Sequence, residues 1–144
     1  MAKLVLVNAG KSYEYGTHEP LHLLVLAAFA KRFGHDVIIA DQIAGEDIFK
    51  KIKKFNPDFV GITGTTAVIA DSYDIADWCR KNGFKTILGG VHVSVLPEEG
   101  LEHADFVVKG EGEDALVKIL AGEAKPGIIV GRCVKNLDQL PKLD

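Results

Sequence analysis

Cysteine and excess positive charge are scarce in this sequence, and each scarcity excludes a class of function. The 144 residues contain two cysteines, Cys79 and Cys133, which form no CxxC pair and have no histidine at zinc spacing. The sequence therefore predicts neither a structural zinc site nor a disulfide framework. The formal net charge of −3 argues against a protein that neutralises many phosphates, so we expect no nucleic-acid partner.

Long apolar runs are also lacking, which bears on where the protein works. No run reaches the ~20 apolar residues that a membrane-spanning helix needs, so we expect no membrane partner. The amino terminus turns polar at Asn8 and lacks the cleavage pattern of a secretory signal. These features predict a cytoplasmic location.

Short β-branched segments that alternate with helical patterns make up most of the chain. This alternation is typical of βαβ units and predicts an α/β fold, with a parallel sheet covered by helices on both faces. We predict strands at residues 3–7, 36–40, 58–63, 85–88 and 105–108, and helices at 20–33, 46–55, 66–82, 97–101 and 111–121. Right-handed crossovers favour the order 2-1-3-4-5, which is a flavodoxin-like, doubly wound, five-stranded parallel sheet. We expect residues 1–126 to form this domain and residues 127–144 to form a C-terminal hairpin or tail that ends in a linker.

The loops that follow the strands carry the unusual chemistry. In this order the chain reverses between strands 1 and 3, and open α/β sheets bind ligands at the carboxyl ends of the strands beside such a point. Each loop also has a purely structural interpretation, because threonines cap helices, glycines form turns and acidic residues favour a helix amino terminus. The candidate binding residues are Asn8 and Gly10 after strand 1; Thr63, Gly64, Thr65 and Thr66 after strand 3; Gly89, Gly90, Val91 and His92 after strand 4; and Gly110, Glu111, Gly112 and Glu113 after strand 5.

Three well-known uses of this kind of fold fit the loops poorly. A phosphoacceptor receiver needs acidic residues where Asn8 and Thr63 stand. A flavodoxin carries its hydroxyl-rich phosphate loop after strand 1, and a dinucleotide-binding domain carries GxGxxG there. None of these patterns is present after strand 1.

Several short segments, in their order and spacing, carry a likeness to a known family that spans nearly the whole chain. They are Pro20-Leu21-His22-Leu23-Leu24, Leu26-Ala27-Ala28, Phe33-Gly34-His35-Asp36-Val37, Pro57-Asp58-Phe59-Val60-Gly61-Ile62-Thr63, Leu88-Gly89-Gly90-Val91-His92, Pro97-Glu98-Glu99, residues 105–113 and Leu137-Asp138-Gln139-Leu140-Pro141. With these segments the chain resembles the amino-terminal cobalamin (vitamin B12)-binding domain of radical S-adenosylmethionine (SAM) methyltransferases and cyclases.

This resemblance implies that the ligand is cobalamin, whose corrin ring lies over the strand ends while its nucleotide tail descends beside the sheet. It implies that the candidate residues above contact the cofactor, with Gly89 and Gly90 letting the tail pass close to the backbone. Cobalamin domains that supply a histidine to cobalt carry Asp-x-His-x-x-Gly after strand 1. That motif is absent here, and His18 is the candidate metal ligand in that loop.

The Cys-x3-Cys-x2-Cys motif that holds an iron–sulfur cluster in these enzymes is absent from the sequence. The resemblance therefore implies that the iron–sulfur cluster and SAM belong to a radical SAM catalytic domain, in a longer chain or a separate protein. We expect this chain to be a cobalamin-binding module that presents the corrinoid to that domain and is not catalytic in isolation. The alternative is a ligand-free flavodoxin-like domain used for substrate contact or protein assembly.

Overall fold

Within the described residues, 1–10 and 20–131 of a computed structural model, six strands form one parallel sheet flanked by helices. The strand order is β2-β1-β3-β4-β5-β6, so the predicted order of the first five strands is confirmed. The elements are β1 (Lys3–Asn8), α1 (Leu21–Arg32), β2 (Asp36–Asp41), α2 (Ile48–Phe55), β3 (Phe59–Thr63), a 3-10 turn (Thr66–Val68), α3 (Ile69–Lys81), β4 (Lys85–Gly89), α4 (Val91–Val95), α5 (Pro97–Leu101), β5 (Phe106–Lys109), α6 (Glu113–Leu120) and β6 (Gly127–Val130).

The sixth strand corrects the sequence-based description of the C-terminal part. Residues 127–130 do not begin a hairpin or a loose tail, because β6 pairs with β5 in parallel from Gly127 opposite Phe106 to Val130 opposite Lys109. A parallel neighbour needs a crossover connection, and α6 provides it. The remainder of the predicted tail, 132–144, lies outside the described residues, and the division of the chain at residue 126 stays a prediction.

Two hydrophobic layers hold the helices to the sheet. One layer packs α2, α3 and α4 against one face through residues such as Ile52, Ile75 and Val93. The other packs α1 and α6 against the opposite face through Leu23 and Leu116. Strands β1 to β5 each contribute side chains to both layers, because successive side chains point to opposite faces of a sheet.

The buried side of α3 agrees with the sequence pattern. Ser72, Ile75, Ala76 and Cys79 are all buried, and their spacing of three to four residues places them on one side of the helix. Burial raises the pKa of the Cys79 thiol to about 12, so this cysteine is protonated and packs as a small hydrophobic side chain.

The region after β4 differs from the prediction in one element. The helix at Pro97–Leu101 is confirmed, but a further helix, α4, precedes it at Val91–Val95.

The predicted helix at 66–82 divides into the 3-10 turn and α3. No helix in the described ranges is both long and apolar enough to cross a membrane.

Candidate functional site

A cleft opens between α1 and α6 at the carboxyl ends of β3 and β4. Both helices pack on the same face of the sheet, and the gap between them has a volume of about 460 Å³. The residues that line it are Leu6, His22, Leu23, Val25, Leu26, Gly61, Ile62, Thr63, Ile87, Gly89, Gly90, Val108, Gly110, Glu111, Gly112, Glu113 and Leu116.

The strand register divides the cleft into two levels. Leu6, Gly61 and Ile87 are paired side by side across β1, β3 and β4 and form the floor. Thr63 pairs with Gly89 two residues further along the strands, roughly 7 Å above the floor, and belongs to the mouth. The floor is therefore apolar, whereas the mouth carries the hydroxyl of Thr63 and the backbone of Gly89, which has no side chain.

Two strand glycines shape the cleft in different ways. A Cβ at Gly89 would meet no other atom within 4 Å, so this position faces empty space. A Cβ at Gly61 would lie 2.8 Å from Leu6 Cδ2, so Gly61 leaves room for the leucine in the floor. A glycine inside a strand often marks such a close approach.

Gly90 has a different role, since it starts α4. Its φ of +110° is unfavourable for other residues, and an added Cβ would lie 3.0 Å from both Gly64 O and Thr63 Oγ1. Gly90 thus lets the loop after β4 turn tightly against the loop after β3.

Three ionisable residues line the cleft near its mouth: His22, Glu111 and Glu113. Glu113, in the first turn of α6, has a buried Oε2 atom without a hydrogen-bond partner among the described residues. His22, in the first turn of α1, has a pKa below its usual value because contact with the cleft wall removes part of its hydration. His22 is therefore largely neutral at pH 7, and Glu113 offers a free acceptor to a ligand.

Ser94 and His92 of α4 tie the loops around the mouth together. Ser94 Oγ donates to Gly90 O at 2.8 Å and accepts from Gly110 N at 3.0 Å, which links the loops after β4 and β5. His92 Nδ1 lies 3.2 Å from Thr66 Oγ1, and His92 Nε2 lies 3.1 Å from Glu99 Oε1. That hydrogen bond lowers the pKa of Glu99.

Tyr73 of α3 connects this network to His103, because its ring lies 6.2 Å from the His92 ring. The Tyr73 ring stacks on His103 at 4.1 Å, and His103 Nδ1 lies 2.8 Å from Asp77 Oδ1. Burial, together with the nearby Glu99 carboxylate, raises the pKa of Tyr73. The Tyr73 hydroxyl forms no hydrogen bond of good geometry within the described residues, so we assign it a packing role.

The structure brings together half of the predicted site residues. Seven of them line the cleft: Thr63, Gly89, Gly90, Gly110, Glu111, Gly112 and Glu113. Gly64, Thr65, Thr66, Val91 and His92 lie beside it in the neighbouring loops and α4 but do not line it. Thr65 precedes the 3-10 turn without a side-chain capping bond, so the structural alternative of a capping threonine is not seen at this position.

Asn8 and Gly10 lie away from the cleft and make structural contacts. Asn8 Nδ2 donates to Asp41 Oδ1 at 3.1 Å, and Gly10 N donates to Gln42 Oε1 at 2.8 Å. His18 lies outside the described residues, so its predicted role as a metal ligand stays a prediction. No group of three metal-ligating side chains occurs in the part of the chain that the structure describes.

The apolar walls of the cleft are not among the residues predicted from the sequence. Leu6, Leu23, Ile87 and Leu116 read as ordinary core residues because a cleft wall and a core face have the same pattern. Gly61 was the one available signal, since glycine is disfavoured inside a buried strand.

Comparisons with known proteins identify the family. The family model described as "B12 binding domain" matches residues 11–120. An uncharacterized methyltransferase from Pyrococcus horikoshii is 42% identical over 107 residues, covering 67% of this chain and 23% of the relative. The anaerobic magnesium-protoporphyrin IX monomethyl ester cyclase of Cereibacter sphaeroides is 31% identical over 142 residues, covering 90% of this chain and 23% of the relative.

Solved structures agree with the fold. The radical SAM methyltransferase TsrM from Kitasatospora setae, solved with cobalamin and a [4Fe-4S] cluster, has a TM-score of 0.70 over 84% of this chain and 24% of its own, at 21% identity. Because the sequence identity to TsrM is this low, the likeness supports only the fold. A cobalamin-binding protein from Desulfitobacterium hafniense has a TM-score of 0.61 at 26% identity, covering 85% of this chain and 59% of its own.

This chain spans about a quarter of the length of the curated relatives described above. The family match covers most of the chain, and it agrees with the observed strand order and with the membership that the sequence segments predicted. The chain belongs to the B12-binding domain family.

Proposed function

We propose that this domain binds cobalamin with its nucleotide tail in the cleft between α1 and α6 and presents the corrin ring to a radical SAM catalytic domain. The observation that carries the proposal is the open cleft, at whose mouth Gly89 faces empty space. The ligand-free alternative gives no reason for a glycine at this position, because a side chain there would meet no steric obstacle.

The two levels of the cleft fit the two ends of such a tail. A nucleotide tail has a flat heterocyclic base at one end and polar phosphate, ribose and amide groups along its linker. The floor of Leu6, Gly61 and Ile87 suits the base, and the mouth offers Thr63 and the free Glu113 acceptor to donors on the linker or ring. The corrin ring is broader than the cleft and would rest on the loops above it.

The residues of this chain indicate which tasks belong to the cofactor, which to this domain and which to a partner domain. Bound cobalamin would supply the reactive cobalt centre, and the protein would supply binding and orientation. The iron–sulfur cysteine motif is absent from this sequence. The matched region is 23% of a methyltransferase and 23% of a cyclase among the relatives, which supports a radical SAM catalytic domain as the partner. A cytoplasmic location and the absence of nucleic-acid and membrane partners remain our expectations.

Gly89→Leu tests the proposal directly. The leucine side chain would extend into the cleft, so we expect retention of hydroxocobalamin after desalting to fall by about tenfold or more. Because φ at Gly89 is compatible with any residue and the space is empty, the fold should tolerate the change. Retained corrin absorbance per mole of protein, with circular dichroism as a check of the fold, measures the effect.

Two variants serve as controls for this measurement. Gly89→Ala adds one methyl group to the cleft and should lower retention only slightly. Ala121→Leu places the same leucine on the exposed end of α6, at the opposite end of the sheet, and should leave retention unchanged. A wild-type chain that retains no corrinoid, or a folded Gly89→Leu variant that retains it fully, would refute the proposal.

A further inference from the structure

Among the described residues, the floor of the cleft offers no polar group to a ligand. Leu6, Leu23, Ile87, Val108 and Leu116 are each at most 4% exposed, and they surround Gly61. The backbone of Leu6, Gly61 and Ile87 is paired in the parallel ladder, so its N–H and C=O groups are engaged within the sheet. A polar atom that reached this floor would find no partner among the described residues.

The polar groups of the cleft lie at its mouth instead. His22 and Glu113 belong to the first turns of α1 and α6, and both helices run from the mouth toward the floor. Leu26 and Leu116 follow on the next turn of each helix. The walls therefore change from polar to apolar within one helical turn, or about 5 Å.

We infer that this cleft discriminates among cobamides by their lower base, favouring a benzimidazole over a purine. The inference rests on the proposed function and extends it, because it names the class of cobamide that the site takes. The base is the terminal group of the tail, so it reaches furthest into the cleft.

Desolvation provides the physical basis of this selectivity. The outer edge of 5,6-dimethylbenzimidazole carries carbon atoms and two methyl groups, which match the leucine and isoleucine floor. Adenine carries an exocyclic amino group and additional ring nitrogens, which lose their hydrogen bonds to water and gain none in an apolar floor. Hydrophobic pockets reject a polar near-isostere by about 100-fold at most. We therefore expect cobalamin to bind 10- to 100-fold more tightly than its adenine analogue.

The test compares cobalamin with adeninylcobamide, both with the same upper ligand, by equilibrium dialysis against the 144-residue chain. The inference predicts a ratio of dissociation constants of about 10 to 100 in favour of cobalamin. Equal binding, or tighter binding of adeninylcobamide, overturns the inference and leaves the proposed function intact. Failure of both cobamides to bind refutes the proposed function itself.

A matched pair of variants tests whether the ratio of the two dissociation constants depends on contact between the lower base and the floor. Threonine and valine have nearly the same shape, so Ile87→Thr and Ile87→Val differ mainly by one hydroxyl group in the floor. We expect Ile87→Val to keep the wild-type ratio and Ile87→Thr to lower it several-fold, because the hydroxyl gives a purine one partner. If the two folded variants give the same ratio, the base does not reach Ile87 and the inference is wrong.

Discussion

Glu113 combines two physical roles at a single residue. Its carboxylate lies in the first turn of α6, where the helix dipole favours negative charge. Asp114 has the same benefit, but it forms an ion pair with Lys118 at 3.2 Å, whereas Oε2 of Glu113 is buried without a partner among the described residues. An unmet buried acceptor costs stability in the free domain, so a bound donor would gain from it.

Glu113→Ala should weaken cobalamin binding by about tenfold, since one hydrogen bond to a charged group contributes about 1.5 kcal/mol or more. Asp114→Ala is the matched control, because it removes a first-turn carboxylate that does not line the cleft. Titration of each variant with hydroxocobalamin measures the dissociation constants. Equal affinities for the two variants would mean that Glu113 acts through the helix dipole alone.

Helix α4 is the element that joins the loops around the cleft. Its sequence, Val91-His92-Val93-Ser94-Val95, is short and rich in β-branched residues, which are weak helix formers. Hydrogen bonds hold it in place, above all those that Ser94 forms with the loops after β4 and β5. The helix is therefore a product of tertiary contacts.

Ser94→Ala should loosen the mouth of the cleft without disrupting the fold. Loss of the hydroxyl removes the bonds to Gly90 O and from Gly110 N, at a cost of about 1 kcal/mol in the free energy of unfolding. We expect faster amide exchange at Gly110 and cobalamin binding weakened about threefold to tenfold. Unchanged exchange at Gly110 would show that the loop is held by other contacts.

The elements that the sequence predicted are those with a strong local pattern. The first five strands are continuous apolar runs, and α2 and α3 carry clear buried stripes that end at Asn56 and Gly83. Helix α4 and strand β6 escaped prediction because their states depend on distant partners. Four residues such as Gly127–Val130 have no periodicity that distinguishes a parallel edge strand from a hairpin.

At the scale of the whole molecule, topology predicted the correct edge of the sheet but not the position of the cleft. The strand order pointed to the loops after strands 1 and 3, whereas the described cleft lies over β3 and β4 and is bounded by the loops after β3, β4 and β5. The cleft lies between α1 and α6, which pack on the same face of the sheet. Strand order alone does not contain that information, and the cleft does not include Asn8 and Gly10, the binding residues predicted after strand 1.

The central claim is that the tail of cobalamin occupies this cleft with its base on the floor. Nuclear Overhauser contacts between bound hydroxocobalamin and a methyl-labelled domain test it most directly. We expect contacts between the methyl groups of the lower base and the side-chain methyls of Leu6, Ile87 and Leu116. Contacts confined to exposed side chains outside the cleft, such as Val91 and Val95 of α4, would contradict it.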